Sequence, residues 1–198
     1  PSVSMDYLER LGITTLTEED NNLSLALGGL QKGISPLEMA AAYAAIANDG
    51  QYIEPVFYQN IKNHSGETII TAKQDTRRVF SKETAFILKD LLTQPVEGSN
   101  GTATYCKING IDVAAKTGTT DSNYDRWLCG FTPYYTGVTW YGYDQNESVS
   151  YNKVLSEIIC TGAPPTSRCC VVSIGASPKY FFCSFRVRQR AVAITLDC

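Results

Sequence analysis

The run "ISPLEMAAAYAAIANDG", residues 34–50, constrains the fold more than any other stretch of this chain. Ser35 stands before Pro36 at the first helical position, and Glu38 completes an S-x-x-E capping box, so a helix is predicted to begin here. Asn48-Asp49-Gly50 stops it. Between these signals most positions are alanine, which offers little side-chain surface. A helix of this kind is useful only when packed closely against its neighbours, so the rest of the chain must supply surfaces that approach its backbone.

The remaining pattern predicts those surfaces. "SMDYLERLGI" reads as a short helix with Ser4 as N-cap and Gly12 near its end. "LSLALGGL" carries a turn at Gly28-Gly29. "YIEPVFYQNIKN" and "GETIITAKQ" read as two strands joined by a turn at residues 63–66. "SKETAFILKDLLTQPV" is a helix capped by Ser81, with Glu83 in its first turn, and is predicted to end at Pro95. A glycine-punctuated loop then leads to three strand-like runs, "DVAAKTGTT", "RWLCGFTP" and "TGVTWYGYD". "YNKVLSEII" has the spacing of a last helix. Helices followed by successive strands predict an α+β fold, an antiparallel sheet flanked by helices.

Charge and cysteine placement exclude several function classes. The net charge of −3 argues against nucleic acid as a partner. No run of 18 apolar residues provides a membrane span, and the start has no secretion signal. Cys106 and Cys129 are the only cysteines before residue 160, whereas Cys160, Cys169, Cys170, Cys183 and Cys198 crowd the stretch from there to the C-terminus. No cysteine spacing suits zinc, and the single His64 sits in a polar turn, so neither metal nor cofactor is expected. Residues 1–159 hold 12 Lys/Arg against 19 Asp/Glu, and residues 160–198 hold 5 against 1. This shift divides the chain into 1–159 and an atypical, Cys-rich 160–198.

Chemistry concentrates at Lys116. A phosphate loop is one reading, since "GIDVAAKT" is one residue from G-x-x-x-x-G-K-[ST]. Ala115 stands where the second glycine is needed, and no helical pattern comes after it, so this reading fails. The other is a K-T-G strand. In an extended run Lys116 and Gly118 point one way, Thr117 and Thr119 the other. Gly118 leaves room for a substrate backbone to lie along the strand as an added strand. Lys116 provides positive potential for a carboxylate, and threonine hydroxyls with backbone N–H groups can hold that carboxylate or a developing oxyanion.

"LSLALGGLQKGISPLEMAAAYAAIANDG", "GSNGTA", "AAKTGTTDSNYDRWLCGFTP" and "VTWYGYD" occur in this order. Together they resemble the C-terminal half of the transpeptidase domain of class A, bifunctional penicillin-binding proteins, over roughly residues 1–159. The resemblance implies a partial penicillin-binding transpeptidase fold, of the serine β-lactamase-like kind. It implies that Lys116, Thr117, Gly118 and Thr119 line the substrate strand. It implies D-Ala-D-Ala stem peptides of peptidoglycan as substrate and β-lactams as mimics, on the extracytoplasmic face of the bacterial membrane. It further implies a membrane anchor and a glycosyltransferase domain upstream of Pro1.

The family nucleophile, a serine in S-x-x-K, and a second motif, S-x-N, are expected upstream of Pro1. The S-x-x-K string present, "SYNK" at residues 150–153, comes after the K-T-G strand and reads as the cap of the last helix. No catalytic residue is therefore assigned in this chain, and it is expected to be inactive alone. The alternatives are a non-catalytic remnant that binds peptidoglycan, and a non-functional truncated product. For residues 160–198 the expectation is a shifted reading frame, against a divergent segment in which "SFRVRQRAVAIT" alternates like a strand. The underlying DNA decides, by whether another frame holds a family-like helix.

Smaller features receive structural readings. Asp121, Asn123 and Asp125 read as a solvated turn rather than a cation site. Trp127, Phe131, Trp140 and Tyr143 read as strand core rather than a glycan platform. Tyr43 belongs to helix packing, and Gly101-Thr102-Ala103 reads as structural support near the site.

Overall fold

The computed structural model describes residues 1–143, 147–149, 168–175 and 183–187. The predicted last helix, the "SYNK" string and most of residues 160–198 lie outside the described residues.

Helix α1 (Ser2–Arg10) starts earlier than predicted. The Met5 N–H bonds the Pro1 carbonyl at 3.0 Å, so the first turn closes ahead of Ser4. Ser4 lies inside the helix and caps nothing. Gly12 turns the chain with φ +84°, and a Cβ there would collide with the Tyr52 ring.

Helix α2 (Pro36–Ala47) is the predicted alanine helix, and its box is fully formed. The Ser35 hydroxyl accepts the Glu38 N–H at 3.2 Å, while Glu38 accepts the Ser35 N–H at 3.0 Å. The other Glu38 oxygen accepts the N–H and hydroxyl of Thr14, at 2.8 and 2.7 Å. One carboxylate thus caps α2 and ties it to the stretch after α1. Burial pushes its pKa up, yet these hydrogen bonds from Thr14 and Ser35 outweigh that and hold it below the usual carboxylate value.

Alanine suits α2 because neighbours cover two of its faces. Ala41, Ala42 and Ala45 pack with Leu11, Ile13, Tyr52 and Val79. Ala40 and Ala44, one turn apart, pack with Cys129 and Val138 of the main sheet. Larger side chains would hold the sheet away, so the small residues set the spacing between layers.

The predicted long strand from Tyr52 is two short ones, because Pro55 lacks the N–H that a ladder needs. Strand β1 (Gln51–Ile53) pairs antiparallel with β4 (Thr76–Arg78). Strand β2 (Asn60–Lys62) pairs with β3 (Thr68–Thr71) across the predicted turn, where Gly66 adopts φ +82°.

Helix α3 (Lys82–Glu97) begins at Ser81, whose hydroxyl accepts the Thr84 N–H at 3.1 Å. Pro95 does not end it. A proline in the last turn forfeits one backbone bond and leaves the helix free to run two residues further, to Glu97, and the N–H of the next residue, Gly98, bonds the Gln94 carbonyl at 2.8 Å. The C-terminal end of α3 buries Val96 with Ala103, Val113 and Ala115.

The main sheet is antiparallel, in the order β5-β6-β7-β8-β9. It comprises β5 (Ala114–Thr119), β6 (Asp125–Phe131), β7 (Tyr135–Gly142), β8 (Arg168–Gly175) and β9 (Cys183–Val187). Strand β9 begins one residue before the predicted "SFRVRQRAVAIT" run and covers its first third. Among the described residues there are three α-helices and antiparallel sheets, and the α+β reading holds. Among the described residues strand β5 forms one edge, pairing with β6 alone.

Candidate substrate site on the edge strand

Lys116, Thr117, Gly118 and Thr119 lie in register opposite Cys129, Leu128, Trp127 and Arg126. Opposed residues share a face, so Lys116 and Gly118 stand on the α2 side of the sheet with Cys129 and Trp127. Ala115 and Thr117 stand on the other. The burial of β5 changes along its length: Ala114 and Ala115 are buried, Lys116 and Thr119 exposed, Thr117 and Gly118 between.

Lys116 closes one end of a groove of about 730 Å³ between α2 and α3. Tyr43 and Ile46 of α2 and Leu88, Leu91 and Leu92 of α3 form apolar walls. The loop from Gly98 to Thr102 adds a polar rim. Lys116 is the one charged side chain among the described lining residues. Its Nζ donates to the Thr117 carbonyl at 2.7 Å, and no carboxylate pairs with it among the described residues. An ammonium beside apolar walls suits an anion, which would meet positive charge in partly water-excluded surroundings.

The groove is flanked by groups that stay neutral near pH 7. Burial pushes the Cys129 thiol up to about 12, with the Lys116 charge pulling it partly back. Burial also raises the Tyr43 phenol well above its ordinary value. Neither group adds negative charge near Lys116 to compete with an anionic ligand.

The two threonines of β5 are engaged differently. The Thr117 hydroxyl lies 2.8 Å from that of Thr102 in the loop after α3. The Thr119 hydroxyl accepts from Arg126 at 2.9 Å, and the same guanidinium reaches Asn123 Oδ1 at 2.8 Å. At Gly118 an added Cβ would press on Trp127 Cβ at 3.2 Å. Glycine therefore relieves crowding against β6 as well as leaving the strand face bare.

Of the polar residues after β5, Asp121 and Asn123 lie in a turn, as predicted, whereas Asp125 opens strand β6. Asp125 Oδ1 accepts the Trp140 indole N–H at 2.8 Å, and the Asn123 N–H bonds the Thr120 carbonyl at 2.9 Å. No metal-holding group of His, Cys, Asp or Glu occurs among the described residues. Trp127 packs against the α2–sheet core and meets Trp140 with ring centroids 6.5 Å apart, which fits the core reading of both.

Thr102 is the site residue that sequence reasoning missed. It reads as loop support, yet it lines the groove and meets the hydroxyl of Thr117 on β5, 15 residues away. The available signal was the pairing of a hydroxyl with flanking small residues in "GTA".

Residues 3–159 match the family model described as penicillin binding protein transpeptidase domain. Penicillin-binding protein 1F of Bacillus subtilis is 42% identical over 153 residues, covering 74% of this chain and 21% of that protein. Penicillin-binding protein 1A of Haemophilus influenzae, a crystal structure, superposes with TM-score 0.62 at 25% identity, over 75% of this chain and 27% of that one. A penicillin-binding protein 3 from Mycobacterium tuberculosis, solved with ampicillin, shares the fold at TM-score 0.57 and 22% identity, over 67% and 36%. The chain spans about a fifth of the length of the curated relatives it matches.

Proposed function

Because the chain belongs to the penicillin-binding protein transpeptidase family, we propose that it supplies the wall that seats a substrate carboxylate in a cell-wall D,D-transpeptidase. The observation that carries this is Lys116, the one charged lining side chain among the described residues of its groove, beside Thr117 on an edge strand. The substrate is a peptidoglycan stem peptide ending in D-Ala-D-Ala, and β-lactams enter as its mimics. The strand edge pairs with the extended peptide, Gly118 leaves its path clear, and Lys116 with Thr117 and Thr119 holds the terminal carboxylate. The reaction runs outside the cytoplasm, where peptidoglycan is cross-linked.

The attacking serine belongs to chain outside these 198 residues. In the complete enzyme it adds to the penultimate D-Ala carbonyl and expels the terminal D-Ala. The amine of a neighbouring stem peptide then takes the acyl group and frees the serine. Without the nucleophile, what remains is binding and oxyanion stabilisation.

Calorimetric titration of the 198-residue chain with N-acetyl-D-Ala-D-Ala and with its C-terminal amide tests the seat. The carboxylate should bind tighter, and Lys116→Gln should remove about a tenfold preference, the loss expected for one charge-assisted contact. Equal binding of both ligands by the unaltered chain would refute the seat. Labelled penicillin should form no covalent adduct with this chain, and stoichiometric labelling of Ser150 or any other serine would refute the division of labour.

A further inference from the structure

The loop that carries Thr102 is tied to the end of α3. The Ala103 N–H bonds the Pro95 carbonyl at 2.9 Å, and the Gly101 N–H bonds the Gly98 carbonyl at 2.9 Å. A Cβ at residue 101 would collide with the Pro95 carbonyl, so the chain can approach α3 this closely only as glycine. Ala103 is fully buried against Val96, Val113 and Ala115. Thr102 is therefore clamped on both sides, and its hydroxyl is presented to that of Thr117 at 2.8 Å.

A hydroxyl has one proton and two lone pairs, so the direction of this contact matters. If Thr117 donates to Thr102, only lone pairs of Thr117 remain to meet a carboxylate laid along the edge of β5, and they repel it. If Thr102 donates to Thr117, the Thr117 proton is free to point to a carboxylate at the strand edge, and the chain of hydrogen bonds strengthens it as a donor. Lys116 cannot fix this direction, because its Nζ is engaged with the Thr117 carbonyl rather than the hydroxyl.

We propose that Thr102 is a positioning residue: its hydroxyl donates to Thr117 Oγ1 and so turns the Thr117 O–H toward the substrate carboxylate. This rests on the carboxylate seat proposed above and extends it to a residue on another element. Thr102 need not touch the substrate. It determines which way its neighbour's only proton points.

The test uses the 198-residue chain and the same pair of ligands, N-acetyl-D-Ala-D-Ala and its C-terminal amide. Damage to the fold would weaken both ligands together, whereas a positioning role changes their ratio. Thr102→Val, matched in shape but without the hydroxyl, should lower the carboxylate preference about tenfold, and Thr102→Ser should retain it. In a Thr117→Val background, Thr102→Val should have no further effect on the ratio. A folded Thr102→Val chain with its preference intact would overturn the proposal. So would a Thr102→Val effect that persists without the Thr117 hydroxyl, or loss of the preference in Thr102→Ser. Should Thr102→Val fail to melt cooperatively, Thr102→Ala replaces it with the same readings. If the unaltered chain shows no preference, the seat itself falls, an outcome distinct from a preference that Thr102→Val leaves unchanged.

Discussion

At the scale of single residues, burial acts as strongly as charge. Cys129 sits opposite Lys116 in the sheet, and burial holds its thiol near 12 against 9.0 for a free thiol. Below pH 9 the thiol is protonated both folded and unfolded, so it does not affect stability. Between about pH 9 and 12 the unfolded chain releases this proton and the folded chain keeps it, so stability falls as pH rises, by up to about 1.4 kcal/mol per pH unit. Chemical denaturation from pH 8 to 11 should show this decline, with a shallower slope in Cys129→Ala; equal slopes would contradict it. At this scale the sequence was informative where chemistry is local. Alternation along "AAKTGT" separates Lys116 and Gly118 from Thr117 and Thr119 by face, and the structure has that separation. The Thr102–Thr117 contact was not legible, because it joins two loop-distant hydroxyls through a close approach that only Gly101 and the Pro95 carbonyl create.

At the scale of elements, helix starts were legible where a side chain caps them. Ser35 and Ser81 cap α2 and α3 as their spacing predicts, since a cap needs only a hydroxyl and an N–H three residues on. Pro95 misled because proline forbids one hydrogen bond, not the helical conformation of its own residue. Pro55 was the opposite case: inside an apparent strand, its missing N–H divides the ladder. The capping box of α2 also links elements, which separates two variants. Ser35→Ala should cost about 1 kcal/mol, the usual cost of losing a cap. Glu38→Ala should cost more, since it also severs both bonds to Thr14. Urea denaturation of the two variants measures the order, and equal losses would show that the Thr14 link contributes nothing.

At the scale of the whole molecule, strands β5, β6 and β7 of the antiparallel sheet arise from the three aromatic and alanine-rich runs that the sequence shows plainly. The family match ends at residue 159, where charge balance and cysteine density also change. Strands β8 and β9 lie beyond that point and continue the sheet from β7. The sheet's layering on α2 depends on alanines 40 and 44, so its distance from the helix was implicit in the composition of one helix. The groove was less visible, because its walls come from α2 and α3 while its charge comes from β5. The clamp of the 98–103 loop on Pro95 carries one further consequence. A carbonyl in the last turn of α3 holds the amide of Ala103, so helix fraying and loop opening should be a single event. Deuterium uptake at Gly98 and Ala103 should then proceed at matched rates, and markedly faster uptake at Ala103 would mean that the hydroxyl facing β5 rides on a flap of its own.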